Sequence, residues 1–171
     1  MSTSTRLFGF FLLVSTLTLG ACTTTRIAEK HPGFAANNDQ NTALVYFIRP
    51  NEQRTRGIAD TDLEVEFGQV KALDLASGEY AAVRVKPTET DVTLRSMTYL
   101  TAQPMPVSVW RARHYSFEAG KTYYIHTRFE EQEWRGSYFY PDSVSDEKAR
   151  ELANRLKPAG DLAQAMPIPT L

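Results

Sequence analysis

Cysteine is almost missing from this chain. Its 171 residues contain one, Cys22, so no internal disulfide can form and stability must come from burial and hydrogen bonding. Histidine is nearly as scarce, with only His31, His114 and His126. No cluster has the tight ligand spacing of a zinc site, and neither metal nor cofactor is implied. Charge of one sign does not accumulate either: 19 basic residues face 20 acidic ones. Removing residues 1–21 deletes only Arg6, leaving 18 basic against 20 acidic, so no basic face for nucleic acid is expected. A Gly-x-Ser-x-Gly elbow is absent, which removes the commonest sequence sign of a serine hydrolase. Beyond residue 19 no uncharged run is long enough to span a bilayer as a helix. What remains is ordinary for a globular domain, with 42% hydrophobic and 23% charged residues.

The first segment is the most specific. Arg6 and the free amine precede Leu7–Leu19, an uncharged stretch with the length of a signal-peptide core. It ends in Leu19-Gly20-Ala21-Cys22, which resembles the bacterial lipobox. In that motif small residues let the backbone enter a membrane peptidase, and the cysteine thiol takes a diacylglycerol. The resemblance implies cleavage between Ala21 and Cys22, lipidation of Cys22 and acylation of its new amine. Several acyl chains on one residue anchor far more firmly than a single chain. Thr23 stands where an aspartate would resemble an inner-membrane retention signal. The expectation is therefore an envelope protein held at the outer membrane and facing the periplasm. Residues 23–41 are polar, contain Pro32-Gly33 and show no sustained period, as in a flexible tether. Such a tether spans about 25 Å as a coil and about 65 Å stretched.

From residue 42 the pattern is that of short strands. Thr42–Arg49 is continuously apolar, as in a central strand covered on both faces. Leu63-Glu64-Val65-Glu66-Phe67 alternates, with the odd positions inward. Further strands are expected over Val70–Leu75, Glu79–Lys86, Asp91–Thr98, Val107–Phe117, Thr122–Phe129 and Trp134–Tyr140, with Pro141-Asp142-Ser143 as a break. Ser145 is placed to cap a helix whose apolar stripe is Ala149, Leu152, Ala153 and Leu156, with Glu151 and Arg155 one turn apart. Pro158-Ala159-Gly160 stops it, and residues 158–171 read as a loose tail. The fold class expected is mainly β: an antiparallel β-sandwich over residues 42–157 with one C-terminal α-helix.

Three segments carry a resemblance. Ala43–Pro50 is a strand ending in Arg-Pro, Leu73–Tyr80 ends in Gly-x-Tyr, and Phe117–Tyr124 contains Ala-Gly-Lys-x-Tyr-Tyr. In that order they resemble bacterial lipoproteins carrying the domain of unknown function 2846, over about residues 43–130. Pro87-Thr88-Glu89 stands where that family usually has a Pro-Gly turn. The resemblance implies a small β-sandwich and no catalytic residue.

Candidate chemistry is sparse. His114 and His126, with Glu118 or Glu130, are the nearest approach to a metal set. Ser108 and Ser116 lie near His114, but no acid is evident to orient its ring. Asp60/Asp62, Glu64/Glu66 and Glu130/Glu131/Glu133 are paired carboxylates, of which Glu64 and Glu66 share a strand face. Such pairs serve glycoside hydrolysis in some folds and protect a strand surface in others. The aromatic run Trp134-Arg135-Gly136-Ser137-Tyr138-Phe139-Tyr140, with Trp110, has the residue types of binding hot spots. Trp110, Trp134, Arg135, Tyr138 and Tyr140 are thus a candidate partner surface, with core packing the competing role. The functional expectation is a lipid-anchored, non-catalytic envelope module that binds or scaffolds an envelope protein or glycan. The alternatives are a cryptic cell-wall hydrolase and a purely structural spacer.

Overall fold

The computed structural model describes residues 39–51, 61–100, 104–132 and 136–168. The lipobox with Ala21 and Cys22, most of the tether, Asp60, Glu133, Trp134 and Arg135 lie outside the described residues. Among the described residues no helix is long and apolar enough to cross a membrane.

Among the described residues a short 3-10 turn, Asp39–Asn41, leads into nine strands and two helices. The strands are β1 (Ala43–Arg49), β2 (Leu63–Phe67), β3 (Val70–Leu75), β4 (Glu79–Val85), β5 (Thr88–Thr98), β6 (Val107–Phe117), β7 (Thr122–Gln132), β8 (Gly136–Ser143) and β9 (Lys157–Ala159). The helices are α1 (Asp146–Ala153) and α2 (Gly160–Ala165). Two sheets face each other, one ordered β8-β7-β1-β4-β9 and the other β3-β2-β5-β6. The result is a β-sandwich with helices at its C-terminal end. The smaller sheet is antiparallel. The larger is mixed, because β7 and β9 run parallel to β1 and β4.

Side-chain alternation explains the layers. Val45, Phe47, Leu63, Val65, Phe67, Val83, Val92, Leu94, Phe117 and Ile125 fill the space between the sheets. Phe67 packs against Phe47 and Phe117, and Phe117 meets Tyr123 edge-on. The even-numbered residues of β1 point the other way. Leu44, Tyr46 and Ile48 join Tyr80, Ala82, Ala149, Ala153, Ala163 and Ile168 in a second apolar cluster under the helices. A strand buried on both faces needs a continuous apolar run, and β1 is buried at every position.

Three expectations are corrected by packing. Residues 158–171 are not a loose tail as far as residue 168. Lys157, Pro158 and Ala159 pair with Glu79, Tyr80 and Ala81, then α2 and the buried Ile168 cover the larger sheet. Pro141 does not end its strand, because β8 continues to Ser143. Both prolines lie in edge strands, where a missing N–H need not cost a ladder bond. The helix is not alone and is shorter than its apolar stripe. Arg155 therefore falls beyond α1, whereas Lys148 pairs with Glu151 and Arg150 with Asp146. The Ser145 cap is present, its side chain accepting a bond from the Lys148 N–H.

Candidate functional site: the aromatic and arginine edge

The site is built where the β6 edge of one sheet meets the β8 edge of the other. Pairing with β5 sets the faces of β6. Arg111 and Arg113 stand opposite Leu94 and Val92, on the inward side, while Ser108, Trp110, Ala112 and His114 point out. The inward arginines lie at the rim and turn across to β8. Arg113 Nη1 is 2.9 Å from Asp142 Oδ1. The Arg111 guanidinium carbon lies 3.6 Å from the centre of the Tyr138 ring and 5.5 Å from that of Tyr140. Arg111 Nε donates to the Tyr140 hydroxyl at 3.2 Å, and Nη1 to the Trp110 carbonyl at 2.9 Å. The bond to Tyr140 pushes the guanidinium's pKa further up, so Arg111 is cationic at any physiological pH.

Two further contacts hold the edges together. The Tyr115 hydroxyl donates to the Pro141 carbonyl, and the Ser137 N–H donates to Thr98 Oγ1. Burial pushes the Tyr115 phenol up to about 12, so it stays a neutral donor. Arg128, opposite Tyr140 on β7, lies 4.8 Å from its ring centre and pairs with Asp142 and Glu130. Gln132 also donates to the Tyr140 hydroxyl.

The aromatic run therefore divides by strand period. Phe139 is buried in the core against Phe129, whereas Tyr138 and Tyr140 face outward and are half-buried. Trp110 is 56% exposed and, with Tyr99 and Met105, is one of the large apolar side chains that stand out in solvent among the described residues. A shallow groove of about 490 Å³ runs between them, lined by Ser108, Val109, Trp110, Arg111, Ala112 and Tyr138. Arg111 is the member of this surface that residue type alone did not single out. Its signal was a charged residue at an inward position of the alternation.

The other candidate chemistry is dispersed. His114 lies on the outer face of the smaller sheet and His126 on the outer face of the larger. No group of three or more metal-ligating side chains occurs among the described residues. An acid does orient His114, contrary to the sequence reading: Asp91, opposite it on β5, places Oδ1 3.0 Å from Nδ1. Both are well exposed on an open sheet face, and Ser116 is one pleat further along. Glu64 and Glu66 are bound into an ion network. Arg95 contacts both oxygens of Glu66, and Lys71 bridges Glu64 and Asp74. Burial tends to raise the Glu66 carboxyl, but hydrogen bonds from Arg95 outweigh it and hold the group below its usual range. A carboxylate held ionised in this way is a poor general acid.

Comparison with protein-family models, with curated proteins and with solved structures finds no match.

Proposed function

We propose that the chain is a lipid-anchored envelope protein, tethered through Cys22, whose β-sandwich is a non-catalytic module that binds another envelope component. The address rests on the lipobox-like Leu19-Gly20-Ala21-Cys22 and the single cysteine. The resemblance to lipoproteins with the domain of unknown function 2846 supports the same reading. The binding role rests on one observation: Trp110 stands exposed beside an arginine laid over two outward tyrosines. Tyrosine, tryptophan and arginine bury large contact areas and carry directional polar groups, which is why they dominate recognition surfaces.

A cell-wall hydrolase is the second reading, favoured by the Asp91–His114 pair. Its groups lie on an exposed sheet face rather than in a cleft that excludes water, so a transition state would gain little from them. Loss of turnover on cell-wall material in His114→Asn would establish that reading. For the binding module, a photo-crosslinking residue placed at position 110 in intact cells tests the surface. Capture of an envelope component, protein or glycan, is expected there and not from a control position on β3. An empty result at both positions overturns the role. Mass analysis of the processed protein should give an acylated Cys22 at the N-terminus. A free thiol there overturns the address.

A further inference from the structure

The β6–β8 edge also narrows what the module holds. We propose that the groove beside Trp110 binds a carboxylate-bearing glycan, with one sugar ring stacked on the indole and its acid group on Arg111. This inference rests on the binding role proposed above.

Four observations select the class. First, Arg111 carries a full positive charge with no carboxylate partner among the described residues. Its contacts are two phenol rings with their hydroxyls and a backbone carbonyl, none of them anionic. Arg113, Arg128 and Arg95 differ, since each is paired with an acid. Second, the groove is lined by Trp110 and Tyr138 together with Ser108 and Arg111, a mixture of aromatic and polar residues that suits a sugar with one apolar C–H face and a polar rim. Third, the groove is shallow and open, with about 490 Å³ of space beside Trp110, a shape that suits a ring laid on the indole rather than an enclosed ligand. A stable protein interface needs about 800 Å² on each side. Here the exposed large apolar side chains among the described residues are only Tyr99, Met105 and Trp110. Fourth, strand addition by a peptide is disfavoured. Inward-pointing charges at an edge strand are a device that blocks edge pairing, and Arg111 and Arg113 occupy just those positions.

The full processed chain in detergent is titrated with oligogalacturonate, which carries a carboxylate on every ring, and in parallel with neutral maltohexaose and with dextran sulfate. Calorimetry and tryptophan emission are the readouts. Oligogalacturonate binding with a change in indole emission is expected, and maltohexaose should bind far more weakly. Trp110→Ala and Arg111→Gln should each weaken oligogalacturonate by at least about tenfold. Trp110 is exposed, so Trp110→Ala should fold; unchanged melting of that variant makes its result decisive even if Arg111→Gln is unstable. No binding of oligogalacturonate overturns the inference. So does equal affinity for maltohexaose, or binding that both variants retain. Dextran sulfate binding as tightly as oligogalacturonate marks a general polyanion effect and overturns it too. Capture of a protein at position 110, with no glycan affinity, overturns this inference and leaves the binding role standing. Failure of both experiments removes both.

Discussion

Replacing Ile168 by alanine tests whether the C-terminal segment is part of the fold. Ile168 is 3% exposed and lies in the apolar cluster formed by Leu44, Tyr46, Ile48, Tyr80 and Ala82 of the larger sheet and Ala149, Ala153 and Ala163 of the helices. Truncating a buried isoleucine to alanine costs about 2–5 kcal/mol, the spread reflecting how far the site collapses. A segment near a chain end relaxes more easily than a central strand, so about 2 kcal/mol is expected. For a folded part of this size that lowers Tm by about 5–10 °C. Tyr46 gives an independent handle, since its hydroxyl donates to the Met166 carbonyl at 2.6 Å. Tyr46→Phe removes that bond and should cost about 1 kcal/mol.

The pair has a further consequence. If Ile168 holds the segment down, losing it also loosens the Met166 carbonyl from Tyr46. The double variant should then cost less than the sum of the singles, by at least about 0.5 kcal/mol. Urea denaturation of the four proteins followed by circular dichroism measures all of these quantities. A segment that did not dock would leave Ile168→Ala within about 0.5 kcal/mol of the parent, as surface changes do. That result, together with strict additivity, would refute the packing described for residues 157–168.

Three further outcomes are expected. Arg49 is buried, donates to the Leu75 and Thr61 carbonyls and lies 5.0 Å from the Phe139 ring centre. Arg49→Met should therefore cost about 2–4 kcal/mol in urea titration by leaving those acceptors without their donor. Gly78 and Gly120 both have positive φ, but a Cβ at Gly78 would meet Asn51 Oδ1 at 2.6 Å while one at Gly120 meets nothing within 4 Å. Gly120→Ala should cost about 1 kcal/mol for its backbone conformation, and Gly78→Ala measurably more, by thermal melting. Burial pulls His126 below its ordinary value of 6.5, because desolvation penalises the charged ring. The folded state thus prefers the neutral form. Its contribution to stability is complete above about pH 6.5 and is lost as pH falls through the lowered value. Urea midpoints at pH 7.5 and 5.5 should show a smaller drop in His126→Asn than in the parent.

Most strands were legible because each had one wet face. Leu63, Val65 and Phe67 alternate with Glu64 and Glu66, and burial follows the same period. The β1 run could not be assigned to one face by periodicity, yet its unbroken apolarity pointed to cover on both sides, which the second sheet and the helices provide. The errors gather at proline. Pro141 and Pro158 carry the local signature of a break, and only their position at a sheet edge makes them compatible with a strand. Edge position is a property of the whole sheet, so no local window contains it. The parallel pairing of β1 with β7 is hidden for the same reason, since some seventy residues and the whole smaller sheet intervene. The Asp91 contact of His114 likewise depends on the β5–β6 register.

The candidate surface was half legible. Residue type marked Trp110, Tyr138 and Tyr140, and period two separates Phe139 from its neighbours. What type could not supply was Arg111, whose role comes from two edges closing on each other. Edge strands need protection, and an inward charge is one means of giving it. Arg113 meets that requirement with Asp142 as its counter-ion and is electrically closed. Arg111 occupies an equivalent position two residues earlier, but among the described residues it meets rings instead of an acid. A guard needs only a charge that discourages pairing; it does not need that charge to remain unneutralised beside an exposed indole. The difference between these two arginines is what separates the proposed recognition role from mere protection of the edge, and the Arg111→Gln titration is the measurement that decides between them.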